Sequence, residues 1–536
     1  LIDGDTLLFA LDNDRMLTEY NLEILTITLY NIMIINIEDY RKKVLGCWMG
    51  KNIGGTLGEP DEWKRQINNY DFYKQDLHGE PMPNDDLDIQ LLWLIALEER
   101  GINIDTHTLS EYWINYVVPH WAEYGTAKIN MRAGLQPPVS GSFNNTYKDS
   151  CGSFIRSEIW ACIAPGSPQV ATQYAYEDAI IDYGGGEGVY AEVFCAALES
   201  AAFVINDIRK LIEIGLSYIP ENCAVAQAAK TAIVCYDSKK SWRETRDFIL
   251  EKYRGRAVPC VEHLISKEDI DKGFVDGILG YDVPSNIGIL IIGLLYGEGD
   301  FAKTLCTAVN CGEDTDCTAA TAGSIFGIMH GYDAIPEKWI EPIGKSIKTV
   351  TLNLGDLGYF GNMVPADINN LTERTEKIAR QVIASKNLPV IIDDDNPTDF
   401  SDSNVSALFA GKFREELLEN FNYVNHKFDF FDIAVNHGET PKIICGESKS
   451  IIIKVKNKYR MAANINFKVF APEKISISPN SGSLYVNYPG TEGQNINEIE
   501  LTITAEKLNP GANYLTAQFT LPGRPTIMHV PIVLIN

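Results

Sequence analysis

The chain has 536 residues, enough for roughly two to four domains and a large buried core, which excludes a disulfide-stapled miniprotein. Its 46 basic and 72 acidic residues leave a formal net charge of −26, and such a surface repels phosphate backbones and anionic lipid, arguing against nucleic-acid coating or membrane attachment. A hydrophobic share of 45% and a charged share of 22% are those of a globular chain and exclude wholesale disorder.

The most apolar N-terminal stretch, Ile24 to Ile37, is interrupted by Thr26, Thr28, Tyr30 and Asn31 and follows no basic segment. It reads neither as a signal peptide nor as a membrane span. A cleaner element begins near Met33, so residues 1–36 are expected to be an N-terminal extension. From Ile37 to about Leu388 the pattern is helical, broken by Gly, Pro and Asn clusters, which predicts one large all-α domain over 37–390. Its clearest helices are Asp85 to Arg100, Ala171 to Asp182, Val189 to Ile205, Trp242 to Tyr253, Ile287 to Tyr296 and Asp316 to His330. Asp393-Asp394-Asp395-Asn396-Pro397 then reads as a solvated linker rather than a calcium loop, and 391–440 as a connection. From about Lys442 the period changes to two, at Ile451 to Lys456, Ile465 to Val469, Ile499 to Ile503 and Leu515 to Leu521. A small immunoglobulin-like β-sandwich over 441–536 is expected. The fold class is therefore mainly α with a C-terminal sandwich. Eleven cysteines, an odd number without a CxxC pair, favour a reducing compartment and hence the cytoplasm.

Pro83-Asn84-Asp85-Asp86-Leu87-Asp88-Ile89-Gln90 runs directly into the apolar Leu91-Leu92-Trp93-Leu94-Ile95. Asn84 is a natural N-cap and first-turn acids suit the helix dipole, so capping alone accounts for this sequence. Adjacent carboxylates at the rim of a core helix nonetheless repel one another unless a cation offsets them. A second acidic start, Gly312-Glu313-Asp314-Thr315-Asp316-Cys317-Thr318, leads into Ala319, Ala320, Ala322, Gly323 and Gly327, small residues that let another helix come close. The two starts are candidates to converge on one hard-cation site, because carboxylate, amide and hydroxyl oxygens suit Mg²⁺ or Mn²⁺.

These two segments, Asn84 to Gln90 and Asn310 to Ala320, resemble the metal-binding signatures of the ADP-ribosylglycohydrolase family. In family order, Gly46-Cys47-Trp48-Met49-Gly50 through Gly54 to Glu62 resembles its opening glycine-rich helix and loop, and Cys151-Gly152-Ser153-Phe154-Ile155-Arg156 its substrate loop. The resemblance covers roughly residues 37–350. It implies an all-α domain with two Mg²⁺ ions, or Mn²⁺ in their place, that hydrolyses the bond joining the anomeric carbon of ADP-ribose, or a related ribosyl group, to an acceptor. The substrate would be an ADP-ribosylated protein or a small-molecule glycoside. By the same resemblance Asn84, Asp85, Asp86, Asp314 and Asp316 are metal ligands, Glu62, Asp86 and Asp314 are catalytic, and Gly152, Ser153, Phe154 and Arg156 bind substrate. The chain departs from the family at Gly55, where Asp is usual, at Asn84, Leu87 and Cys317, where Thr is usual, and at Tyr183, where His is common. A thiol is a soft, poor partner for Mg²⁺, so Cys317 points to a weaker or different ion, or to ligation through Thr318.

Gly184-Gly185-Gly186-Glu187-Gly188 places a glycine turn before a helix, either a plain connection or a cradle in which amides and Glu187 hold phosphate or sugar. Residues 131–150, rich in turn formers and aromatics, form a long loop that is a candidate lid, with Tyr147 a candidate for stacking or packing. Gly46 to Lys51 lacks the spacing of a phosphate-binding loop, and no serine-hydrolase elbow occurs. Two alternatives stand beside the main reading: a carbohydrate or nucleoside glycosidase without ADP recognition, and a non-catalytic ADP-ribose-binding protein.

Overall fold

The computed structural model describes residues 32–254, 266–272, 282–352, 363–401, 404–418, 422–490 and 495–536. The greater part of the expected N-terminal extension, residues 1–31, lies outside the described residues. The helices of ten or more residues are α1 (Ile37–Gly58), α2 (Asp85–Arg100), α3 (Thr106–Tyr116), α4 (Ala122–Arg132), α5 (Pro168–Ala179), α6 (Glu187–Ala202), α7 (Ile208–Ser217), α8 (Ala224–Asp237), α9 (Trp242–Tyr253), α10 (Val283–Tyr296), α11 (Phe301–Asn310), α12 (Thr315–His330) and α13 (Ile368–Lys386). Together they form the expected helical domain. Capping chemistry fixes several of their ends. Asn36 accepts from the Glu38 amide at 3.0 Å to start α1, and Ser241 with Glu244 closes a full capping box on α9.

Residues 33–36, assigned above to the extension, instead form strand β1 (Met33–Asn36), which pairs in parallel with β2 (Val390–Asp393). This two-stranded clasp ties the start of the helical domain to its end, and the Asn36 amide donates to Thr398 Oγ1 at 3.0 Å beside it. Alternation is too short in either segment to stand out, since each strand has only four residues.

The centre of the domain is the crossing of α1 and α12. Gly46, Gly50, Gly54 and Gly58 recur every four residues, so they form one stripe along α1. A Cβ on Gly50 would lie 2.0 Å from the Gly323 carbonyl oxygen, one on Gly54 2.2 Å from that of Ala319, and one on Gly327 2.0 Å from that of Gly46. The two helices therefore touch backbone to backbone. At the end of the stripe Thr315 Oγ1 donates to the Gly58 carbonyl at 2.7 Å, which sets the start of α12 directly over the end of α1.

The fully buried indoles Trp93, Trp113 and Trp160 gather around the Arg156 guanidinium. Arg156 meets Asp178 at 2.9 Å and Asp182 at 2.6 Å, and Trp93 and Trp160 donate to the other Asp178 oxygen at 2.7 and 3.0 Å. A buried cation of this kind persists because its charge and hydrogen-bonding capacity are both met.

The C-terminal part is a sandwich of two antiparallel sheets that share one core. One holds β3 (Tyr423–Lys427), β4 (Phe431–Asn436), β5 (Ser448–Asn457), β9 (Ile496–Ala505) and β7 (Ile475–Ser478), in that spatial order. The other holds β11 (Ile527–Ile535), β10 (Ala512–Thr520), β6 (Ala463–Phe470) and β8 (Ser481–Val486). The sandwich thus begins at Tyr423, within the span expected to be a connection, because β3 and β4 pair with β5 and complete its sheet. It is not a free appendage. Leu135 and Val139, from the loop after α4, are buried in the sandwich core, and Tyr514 Oη donates to the Ala133 carbonyl at 3.0 Å. The first half of the candidate lid is therefore clamped to the second domain, which corrects the lid expectation for that part. No disulfide links the described cysteines. No described helix is long and apolar enough to cross a membrane.

Candidate metal centre and active site

Two helix starts converge as their sequences suggest. Asn84 caps α2: its Oδ1 accepts from the Asp86 amide at 2.7 Å, while its Nδ2 donates to Asp316 Oδ2 at 2.9 Å. The Asn84 amide thus links the two acidic segments, and its Oδ1 keeps a second lone pair. Asp314 is the N-cap residue of α12, and its amide donates to Asn286 Oδ1 at 3.1 Å. The turn before it is tight. Glu313 has φ +66°, and Gly312 has φ +74° with no room for a Cβ beside the Gln66 carbonyl 2.0 Å away. Glu313 is held by Arg65 and Arg254, and its amide donates to the Lys64 carbonyl at 3.1 Å. Those contacts draw the 59–66 loop, with half-buried Glu62, against the start of α12.

The result is two overlapping groups of ligand atoms. Carboxylate oxygens of Glu62, Asp314 and Asp316 lie within 4.8 Å of one another, and so do ligand atoms of Asp86, Asp316 and Cys317. Asp86, Asp314 and Asp316 are each 2% exposed. Both Asp86 oxygens, Asp314 Oδ1 and Asp316 Oδ1 have no hydrogen-bond partner among the described residues. Buried carboxylate oxygens without donors are costly, and a bound divalent cation removes that cost. The donor set therefore fits hard divalent ions. Asp85 stands beside the groups, its Oδ2 accepting from Tyr124 Oη at 3.3 Å.

The charges perturb one another strongly. Burial, then Asp316, pushes the Asp85 carboxyl up to about 6. Burial and the neighbouring acids raise Glu62 and Asp314 well above the usual carboxylate range. Asp86 is also raised by burial, with relief from the Lys51 ammonium, which is itself buried and paired with Glu158 at 2.7 Å. Groups raised in the fold bind more protons folded than unfolded between about pH 4 and each folded-state value, so the cation-free protein loses stability as pH rises through that window. Melting in a chelator is accordingly expected at a higher temperature at pH 5 than at pH 7.5, and Mg²⁺ or Mn²⁺ is expected to reverse the order by raising the pH 7.5 value. A chelated protein equally stable at both pH values would contradict this.

A cavity of about 460 Å³ opens onto the acids, lined by Glu59, Glu62, Asn84, Asp85, Asp314, Asp316 and Cys317 on one side and by Glu123, Tyr124, Ser150, Cys151, Gly152 and Ile155 on another. Trp63 and Trp121, 42% and 50% exposed, and Tyr147 also line it. Trp63 and Ala122 carry positive φ, +63° and +34°, local strain of the kind that gathers at functional sites. Glu123, buried at the start of α4, accepts from Tyr183 Oη at 3.0 Å through Oε1, while Oε2 has no partner among the described residues. Burial and Asp182 push its carboxyl up to about 7. Tyr183 Oη also pairs with Ser150 Oγ at 3.0 Å, which orients the Glu123 side chain. Glu123 escapes a reading of the sequence because a single acid in a helix's first turn is ordinary capping.

Of the residues expected from the sequence, the structure brings together Glu62, Asp85, Asp86, Asp314 and Asp316, with Gly152 on the wall. A side chain at Gly152 would strike Glu123 Oε1 2.2 Å away. The remaining substrate-loop positions are placed elsewhere. Phe154 is core, Ser153 Oγ donates to the Gly188 carbonyl at 2.6 Å, and Arg156 is consumed by Asp178 and Asp182. Glu187 accepts from the Ala224 and Val225 amides at 2.9 Å each and so caps α8. Lys51 lies inside α1, in keeping with the rejection of a phosphate loop.

A family model described as ADP-ribosylglycohydrolase matches residues 36–373, more than half of the chain. No curated protein matches it. Solved structures match a smaller part: a FixG-related protein from Vibrio parahaemolyticus, 15% identical with a TM-score of 0.17, over 20% of this chain and 98% of its own. The ASH/PapD-like domain 7 of human CEP192 is likewise 15% identical, with a TM-score of 0.15, over 20% of this chain and 87% of its own.

Proposed function

The chain belongs to the ADP-ribosylglycohydrolase family, and on that premise we propose that it is a metal-dependent hydrolase cleaving the glycosidic bond between ADP-ribose, or a related ribosyl group, and an acceptor. The observation that carries this reading is the set of buried oxygens of Asp86, Asp314 and Asp316 that have no donor among the described residues, with Asp314 and Asp316 on the cavity wall and Asp86 grouped with Asp316 behind it. Asp85, Asp86, Asp314, Asp316 and Glu62 would hold two divalent ions, Mg²⁺ or Mn²⁺. Bound there, such ions supply charge stabilisation and an acidified water.

The chain's own groups supply the rest. Asn84 and the glycine-set turn at 312–314 fix the carboxylates in place before substrate arrives, so that little reorganisation is needed during reaction. Glu62, beside Asp314 and Asp316, would take a proton from the attacking water. Glu123 keeps its own proton close to neutral pH and can pass it to the departing acceptor, the two-carboxyl division that an oxocarbenium-like transition state needs. Trp63, Trp121 and Tyr147 offer flat apolar faces for a base or sugar ring at the mouth.

Glu123→Gln is expected to lower kcat by about 10²-fold on substrates with a basic leaving group and much less on an activated aryl riboside. The wild type is expected to lose activity as pH rises past about 7, where Glu123 ionises, and the variant to lack that limb. A pH profile unchanged by the substitution would remove Glu123 from proton transfer. The function itself is tested by incubating the full chain and Mn²⁺ or Mg²⁺ with peptides ADP-ribosylated on arginine or serine, small-molecule ADP-ribosides, and ribosides lacking the diphosphate. Release of free ADP-ribose is expected. Turnover of plain ribosides alone would move the assignment to a nucleoside or sugar glycosidase, and no turnover of any of them would refute it.

A further inference from the structure

We propose that Cys317 Sγ is a metal ligand in this protein, making one of the two cation positions thiophilic, so that it selects Zn²⁺, Co²⁺ or Cd²⁺ over Mg²⁺. The inference rests on the metal-site reading above and adds to it which ion the site prefers. Three observations support it. Cys317 Sγ, an Asp86 oxygen and an Asp316 oxygen lie within 4.8 Å of one another, a spacing that one ion can bridge. Both Asp86 oxygens and Asp316 Oδ1 are buried without a donor among the described residues, so the group has unused ligand capacity on its oxygen side. The hydroxyls nearest in sequence are turned away: Thr318 Oγ1 donates to the Asp314 carbonyl at 2.8 Å, and Thr315 Oγ1 to the Gly58 carbonyl at 2.7 Å. The thiol therefore occupies the place where a hydroxyl oxygen would otherwise serve, and neither neighbouring threonine replaces it.

Thiolate is a soft donor. Paired with two carboxylates it suits borderline and soft divalent ions far better than Mg²⁺, which prefers oxygen alone. Binding exchanges the S–H bond for a metal–sulfur bond and releases one proton to solvent. Charge balances as well, since Asp86, Asp316 and a thiolate bring three negative charges, eased by buried Lys51 near Asp86. The Glu62, Asp314 and Asp316 group has only oxygen donors and keeps its preference for hard ions.

The test uses full-length protein carrying Cys445→Ser, which removes the one thiol exposed among the described residues, titrated with Cd²⁺ and with Co²⁺. A sulfur-to-metal charge-transfer band is expected in the ultraviolet, absent from the additional Cys317→Ser variant and retained in Cys151→Ser. Cd²⁺ affinity is expected to fall by at least about tenfold in Cys317→Ser while Mg²⁺ affinity holds or rises. Cys317→Thr, closer to the family pattern, is expected to behave alike and guards against a folding defect in either variant. If divalent ions bind stoichiometrically but the band is missing, or survives in both Cys317 variants, Cys317 is not a ligand and the metal-site reading stands. If no divalent ion binds the wild type, both fall.

Discussion

Asp314→Ala is expected to lower kcat by at least about 10²-fold and to abolish the stabilisation that divalent ions confer. The side chain contributes one of the three oxygens in the Glu62, Asp314 and Asp316 group, and its Oδ1 makes no hydrogen bond among the described residues. Its amide remains tied to Asn286 and no side-chain cap bond is lost, so α12 should begin where it does now. The cation-free variant is therefore expected to melt at or above the temperature of the cation-free wild type at pH 7.5, since one member of a repelling cluster is gone. Inactivity combined with a normal or raised chelated melting temperature separates a lost ligand from a lost fold. A variant that still turns over substrate, or that gains as much stability from Mn²⁺ as the wild type, would contradict the assignment.

Gly50→Ala is expected to destabilise the protein by about 3 kcal/mol in denaturant unfolding, although alanine ordinarily favours a helix over glycine by about 1 kcal/mol. The added methyl would lie 2.0 Å from a backbone carbonyl of α12, and backbone cannot step aside as a long side chain can. Separation of the two helices would also move the start of α12, so cation affinity should fall along with stability. Gly55→Ala provides the contrast. The atoms nearest its Cβ would be side-chain atoms, of Asn84 at 3.1 Å and Asp86 Oδ2 at 3.5 Å, so stability should change little while cation binding weakens. Equal stability losses in the two variants would refute the account of the crossing.

Much of this arrangement is legible in the sequence where local chemistry dictates it. Asn84 before paired acids gives the start of α2, and Trp242–Tyr253 is bounded by its capping serine. The convergence of Asp86 with Asp316 is visible only as a shared oddity, two acidic starts on apolar helices, because nothing local encodes a contact across 230 residues. Arg156 shows the limit from the other side. A basic residue in a loop resembling a substrate loop invites a ligand role, yet its partners Asp178 and Asp182 come from the following helix and the turn after it, and burial decides its fate. The four-residue glycine spacing of α1 is plain in the sequence, but its meaning depends on a matching small-residue face far downstream. Tyr423–Lys427 and Phe431–Asn436 are short, mixed in polarity and gain strand structure from pairing, so the sandwich starts earlier than its pattern suggests.

The glycine crossing also sets a schedule for biosynthesis. Gly58 and its partner Thr315 are 257 residues apart, so a ribosome adding about 5–20 residues per second completes the second helix roughly 10–50 s after the first. Throughout that delay the groove of α1 has no native occupant, and the nascent chain is a natural client for chaperones. Messenger truncations ending before residue 315 should accordingly yield aggregating or rapidly degraded products rather than a smaller active enzyme.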